Sequence, residues 1–204
     1  MRYNTEYKIL IKIKKARRGS LFFHEDFTHY GNIEAIKKAL QRLVNKGELT
    51  RVAHGVYVRP RKDPVLGTAI PGIEDIAKAI AKRDRARIVP SGIFALNKLG
   101  LSTQVPLHIV YLTDGAARKI NIGNHTIIFK KTTPKNVAAV GEISKLAIQA
   151  LRTIGKENVS AEEIKKIQNQ LKNEKTTRLE HDIRLAPVWI KEIMTPVLKE
   201  MKNE

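Results

Sequence analysis

The sequence predicts an α+β protein in two parts: a small helix-and-hairpin domain over residues 1–62, and a mixed α/β domain over 73–204 that ends in a helical array. Three observations predict it. Apolar residues from Ile33 to Val44 recur at helical spacing and run into a glycine and a short basic hairpin. Pro60, Pro64, Gly67, Pro71 and Gly72 then crowd one stretch, which marks 63–72 as a linker. From Val137 onward the pattern is helical.

Taken in order, residues 4–17 read as a first helix, with Tyr7, Leu10 and Ile11 tracing an inward face that Ile9 and Ile13 widen. Gly19 ends it, Ser20–Phe23 is extended, and His24–His29 is a short second helix whose Glu25 and Asp26 suit a helix N-terminus. Asn32 is placed to cap a third helix, with Ile33, Ile36, Leu40, Leu43 and Val44 on one buried stripe. Gly47 follows where a left-handed helix end favours glycine. Leu49–Val52 and Val56–Arg59 are β-prone and are separated by Ala53, His54 and Gly55, the size of a tight hairpin. Helix, strand, helix, tight turn, helix, hairpin is the element order of a winged helix-turn-helix.

Beyond the linker, Ile73–Arg83 reads as an amphipathic helix with Ile73, Ile76, Ala77 and Ile80 on one side. Arg87–Val89 reads as a short strand, Ser91 as the N-cap of a helix over 92–99, and Leu107–Thr113 as a strand. Residues 118–122 and 126–130 form a hairpin around Gly123-Asn124. Val137–Ile154 is one helix stopped by Gly155, and Ser160-Ala161-Glu162-Glu163 is a capping box ahead of Ile164, Ile167 and Leu171. Thr176–Leu185 and Pro187–Met201 complete the array.

The 204 residues are 42% apolar, enough for real cores. No apolar run of about 18 residues occurs, as a membrane-spanning helix needs. The basic N-terminus has neither an uninterrupted apolar segment nor a small-residue cleavage site, so a cytoplasmic protein is expected. Zero cysteines exclude disulfides, thiolate metal sites and cysteine nucleophiles. A net charge of +18 favours a polyanionic partner, and nucleic acid is the usual one. Residues 1–62 hold 15 Lys+Arg against 5 Asp+Glu, a net of +10, while residues 63–204 hold 23 against 15, a net of +8. The excess is concentrated where the third helix and the hairpin stand.

Opposite the apolar stripe, the third helix carries Glu34, Ala35, Lys38, Gln41, Arg42 and Asn45. Lys38 and Arg42 can reach phosphates or a guanine edge, and Gln41 and Asn45 can pair with adenine. Helices in this geometry read bases mainly with their N-terminal half, which favours Asn32, Glu34, Lys38 and Gln41. Arg51, His54, Arg59 and Arg61 would contact phosphate or the minor groove from the hairpin. Arg17 and Arg18, with Lys12, Lys14 and Lys15, form a second basic block suited to clamping the backbone. Any exposed helix shows Lys, Gln and Arg to water; it is the basic hairpin directly after this one that tips the balance toward duplex DNA as partner.

No metal and no cofactor is expected. His24 and His29 share no helical face, His108 sits within a strand, and His181 and Asp182 are adjacent on a helix, where neighbours diverge. Metal-assisted cleavage needs converging carboxylates, but Glu163 and Lys165 lie two apart on a helix and Asp114 stands alone at a strand end. No phosphate-binding glycine loop and no nucleophile elbow occurs. The chain is therefore read as a binding protein rather than an enzyme.

The run LQRLVNKGELTRVAHGVYVRP resembles the N-terminal winged module of the AbiEi-type antitoxins of type IV toxin–antitoxin and phage-defence operons. Leu40, Leu43, Lys46-Gly47, Leu49, Arg51, Gly55, Tyr57 and Pro60 carry the resemblance. A Ser91-capped helix reading ALNKLGLS (Ala95 to Ser102), followed by Val105-Pro106 and a strand, is similar to that family's second signature. Together they cover roughly residues 5–135. The resemblance implies a DNA-binding autorepressor of its own operon, opposed to a nucleotidyltransferase-like toxin without forming a stable complex with it. The alternatives are a protein-interaction module docking on an acidic partner and, ranked last, a nucleic-acid-processing enzyme.

Overall fold

Asn4 opens the first helix by accepting the Tyr7 backbone N–H on its side-chain oxygen at 2.8 Å, and α1 runs Thr5–Lys15. The computed structural model describes residues 4–63 and 67–203. The protein is α+β and divides into two compact units, Met1–Ile80 with Ile120–Gly123, and Ala81–Lys119 with Asn124–Glu204.

In the first unit α1 is followed by β1 (Leu21–Phe23), a 3-10 helix (His24–Tyr30) and α2 (Ile33–Asn45). The hairpin strands β2 (Thr50–Ala53) and β3 (Val56–Val58) come next, and the sheet order is β1-β3-β2, antiparallel throughout. Ile9, Ile13, Phe22, Phe27, Leu40 and Leu43 meet in its core. The inward face of α1 is narrower than its periodicity suggested. Ile9 and Ile13 are fully buried, while Tyr7 and Ile11 are 44% and 37% exposed, because α1 packs against α2 and the 3-10 helix along one edge. On α2 the buried stripe is Ile36, Ala39, Leu40 and Leu43. Ile33, expected on that stripe, sits in the first turn and is 51% exposed; Ala39, small enough for close helix approach, takes up the burial instead.

The hairpin closes through His54 and Gly55, and Gly55 takes φ +70°, a conformation that costs other residues a steric penalty. A register shift between Arg51 and Ala53 bulges β2 and adds local twist. Part of the expected linker forms a further antiparallel pair, β4 (Arg61–Asp63) with β5 (Gly67–Ala69). Pro64 lies outside the described residues.

Helix α3 spans Ile73–Arg83 as its periodicity predicts. A four-stranded sheet follows in the order β6-β7-β9-β8, with β6 (Ile88–Pro90), β7 (His108–Thr113), β8 (Arg118–Ile122) and β9 (His125–Lys131). β6 is antiparallel to β7, whereas β7 and β9 are parallel, from His108 opposite Thr126 to Thr113 opposite Lys131. Between β6 and β7 lies α4 (Ile93–Lys98). Ser91 does not cap it: its N–H donates to the Val110 carbonyl at 3.0 Å, continuing the β6–β7 ladder, and Gly92 holds the N-cap position.

The C-terminal array is α5 (Ser144–Ile154), α6 (Ala161–Leu171), α7 (Thr176–Leu185) and α8 (Val188–Asn203), around Ala147, Leu151, Ile167, Leu171, Leu179, Ile190 and Met194. The capping box forms: Glu163 accepts the Ser160 N–H at 2.8 Å, and Ser160 accepts the Glu163 N–H at 3.2 Å. The helix expected from Val137 starts only at Ser144, after a 3-10 turn at Pro134–Val137. Two buried carboxylates take the intervening backbone donors. Asp182 accepts the N–H groups of Val140 (2.9 Å) and Gly141 (2.8 Å) and the Ser144 hydroxyl. Glu174 accepts the N–H groups of Ile143 (2.7 Å) and Ser144 (3.3 Å). Gly141 is required there, since a Cβ would stand 2.1 Å from Ser144 Oγ and 2.6 Å from Glu174 Oε2.

Candidate nucleic-acid interface

The outward face of α2 holds the first group of expected site residues. Asn32 is exposed, but its side-chain oxygen accepts the Ala35 N–H at 2.8 Å and so holds the helix start. Glu34 is exposed and stands 3.6 Å from the Lys37 ammonium. Lys38 is exposed and makes no ion pair with a described residue. Gln41, one turn on, donates from Nε2 to Asn45 Oδ1 at 3.1 Å, which steadies its carboxamide without burying it. Arg42 leans the other way: its guanidinium meets Glu6 of α1 at 3.4 Å, and Lys46 meets the same carboxylate. The Lys46 hydrogen bond above all, then Arg42, holds the Glu6 carboxyl below its ordinary value against the opposing effect of burial. Lys38 and Gln41 thus form the exposed stretch of this face that no ion pair draws toward α1, while Arg42 is tied to α1.

The hairpin sorts its arginines as well. Arg51 Nη2 lies 2.9 Å from His54 Nδ1, and both side chains are exposed at the hairpin tip. Arg59 is different. Its guanidinium donates to the Lys14 carbonyl at 2.9 Å and to the Ala16 carbonyl, closing the C-terminal end of α1, where orphan carbonyls concentrate negative charge. Its backbone also pairs with Gly19 and Ser20. Expected as a hairpin contact, Arg59 fastens the hairpin strand to α1. Arg18 donates to the Pro60 carbonyl at 3.2 Å, a lesser tie of the same kind. Arg17 and Arg61 are exposed.

Together these residues offer an amide and ammonium pair on a helix, a cation at a hairpin tip, and further cations at Arg17 and Arg61. Hydrogen-bond donors and positive charge dominate, which suits phosphate oxygens and base edges. Sequence reasoning passed over Lys46 and Glu6: the lysine marks a helix end, but its carboxylate partner 40 positions away leaves no local signal. Among the described residues no group of three or more His, Cys, Asp or Glu could hold a metal ion. Nor is any helix among them long and apolar enough to cross a membrane.

Comparison with curated proteins gives no match. Among solved structures, the chain is similar to the RV2827C protein from Mycobacterium tuberculosis at 12% identity and a TM-score of 0.46, covering 94% of this chain and 80% of that one. That similarity is too low to carry an argument. Residues 8–179 match the family described as "Family of unknown function (DUF6088)", and the chain belongs to that family.

Proposed function

We propose that α1, β1, the 3-10 helix, α2 and the β2–β3 hairpin constitute a winged helix-turn-helix, and that the protein is a sequence-specific double-stranded-DNA-binding transcription regulator. One observation carries this reading. Lys38 and Gln41 project from the side of α2 opposite its buried stripe, and a tight hairpin with Arg51 and His54 exposed at its tip follows directly. In such a module the helix reads the major groove and the wing grips the flanking backbone. The concentration of charge in residues 1–62, 15 cations against 5 anions, supports the same partner. The protein acts in the cytoplasm by binding and needs no cofactor. The resemblance to AbiEi-type antitoxins extends the proposal: the operator is that of its own operon, and the product opposes a nucleotidyltransferase-like toxin.

Fluorescence anisotropy with the duplex upstream of its own gene tests the proposal. Tighter binding to that duplex than to a shuffled one, with affinity falling steeply as salt rises, is the expected result. Equal affinity for both duplexes sinks it.

A further inference from the structure

We propose that the end of the four-stranded sheet where β7 and β9 finish is a separate nucleic-acid surface, one that grips the phosphate backbone of a duplex without reading its bases. The inference stands apart from the reading of α2, because it uses other residues and another element.

Topology gathers the charge. Because β7 and β9 run parallel with Thr113 opposite Lys131, both strands end on the same side. β6 runs antiparallel to β7 and begins there, with Ile88 opposite Thr113 and Arg87 just before it. Arg118, which opens β8, holds its guanidinium 5.5 Å from the centre of the Phe129 ring near the end of β9. The last turn of α3 brings Arg83 to the same place, since Arg83 and Arg118 share the Asp84 carboxylate. Residues 82–87, 114–119 and 130–131 hold eight Lys+Arg against two Asp, a net of +6, one third of the +18 of the whole chain.

The two acids brace this cluster rather than neutralise it. Asp114 accepts both the backbone N–H and Nε of Arg87 at 2.8 Å, and Asp84 holds Arg83 and Arg118. Burial, and then the nearby charge of Arg83, push Arg118 below the ordinary arginine value, as crowded cations should. Arg85, Lys119, Lys130 and Lys131 are exposed and make no ion pair with a described residue.

The chemistry selects the ligand. The three segments contain no aromatic residue, and the neighbouring Tyr111 and Phe129 rings lie buried, so these segments offer no exposed ring for single-strand bases to stack on. The three segments contain no Asn or Gln to read a base edge, and their other residues are Gly and Ala, which let a phosphate chain approach closely.

The test is the salt dependence of binding to a random 30-base-pair DNA duplex, read by anisotropy. Lys119→Ala/Lys130→Ala/Lys131→Ala removes three exposed cations that pair with no described residue, and the matching triple Arg variant controls for folding. The expected result is a slope of log K against log salt reduced by about 2–3 in the Ala variant and unchanged in the Arg variant. The same reduction is expected in a Lys38→Ala/Arg51→Ala background, which weakens the α2 and hairpin contacts and so separates this surface from that reading. An unchanged slope in the Ala variant, no binding of the random duplex by the wild type, or tighter binding to oligo-dT than to duplex overturns the proposal.

Discussion

The guanidinium of Arg59 donates to the carbonyl of Lys14 at 2.9 Å, across 45 positions of sequence. A residue beside β3 thereby completes the end of α1 and ties the hairpin to the first helix. Arg51, eight residues earlier, is exposed, with its guanidinium 2.9 Å from His54 Nδ1.

These two arginines should separate cleanly by experiment. Arg59→Ala strands carbonyls at the end of α1 and is expected to cost about 1.5–3 kcal/mol in urea unfolding. Arg51→Ala should change stability by less than about 0.5 kcal/mol, yet weaken binding to operator and random duplex alike. Equal stability of the two variants would remove Arg59 from its anchoring role.

Lys38→Ala and Gln41→Ala should act on discrimination. Each is expected to reduce the preference for operator over shuffled duplex by about 1–3 kcal/mol, measured by competition anisotropy. A uniform loss on both duplexes would make these residues phosphate contacts instead.

Asp182→Ala leaves the N–H groups of Val140 and Gly141 and the Ser144 hydroxyl without their acceptor in a buried site. The expected cost is about 3–5 kcal/mol by urea unfolding, large for one substitution. Gly141→Ala should destabilise as well, through collision with Ser144 and Glu174. A mild loss in both would mean that the start of α5 adapts freely.

Glu6 gives a pH dependence. Lys46 and Arg42 hold its folded pKa below the ordinary value near 4.5, so the pairing contributes stability above that pH. The contribution is lost as pH falls through the lower folded value. Wild type should exceed Glu6→Gln by about 0.5–1 kcal/mol at pH 7, with the difference gone in strong acid. A difference that stays flat across the titration would show that the ion pairs stabilise nothing.

Local patterns were legible where neighbours in sequence decide the outcome. The capping box at Ser160, the limits of α3 and α7, and the apolar rhythm of α2 past its first turn all show in the residues themselves. They fail where a distant partner intervenes. Residues 137–143 have helical spacing, but Glu174 and Asp182 claim their backbone donors. Ser91 looks like a cap, but a strand claims its N–H. The candidate site follows the same rule. Composition singles out the arginines, yet only the fold tells Arg59, which faces carbonyls, from Arg51, which faces water. The cluster at the sheet end was hidden because its members come from three separate stretches, joined by a parallel pairing of β7 with β9 that skips β8.

The acids that start α5 have a consequence for synthesis. Residues 140–144 leave the ribosome well before Glu174, and longer still before Asp182, 38 positions past Ser144. Until then the beginning of α5 lacks the carboxylates that accept its amides, so the C-terminal helices are expected to assemble late and together. A premature stop before position 182 would therefore damage a helix encoded upstream of it, along with the ones it deletes.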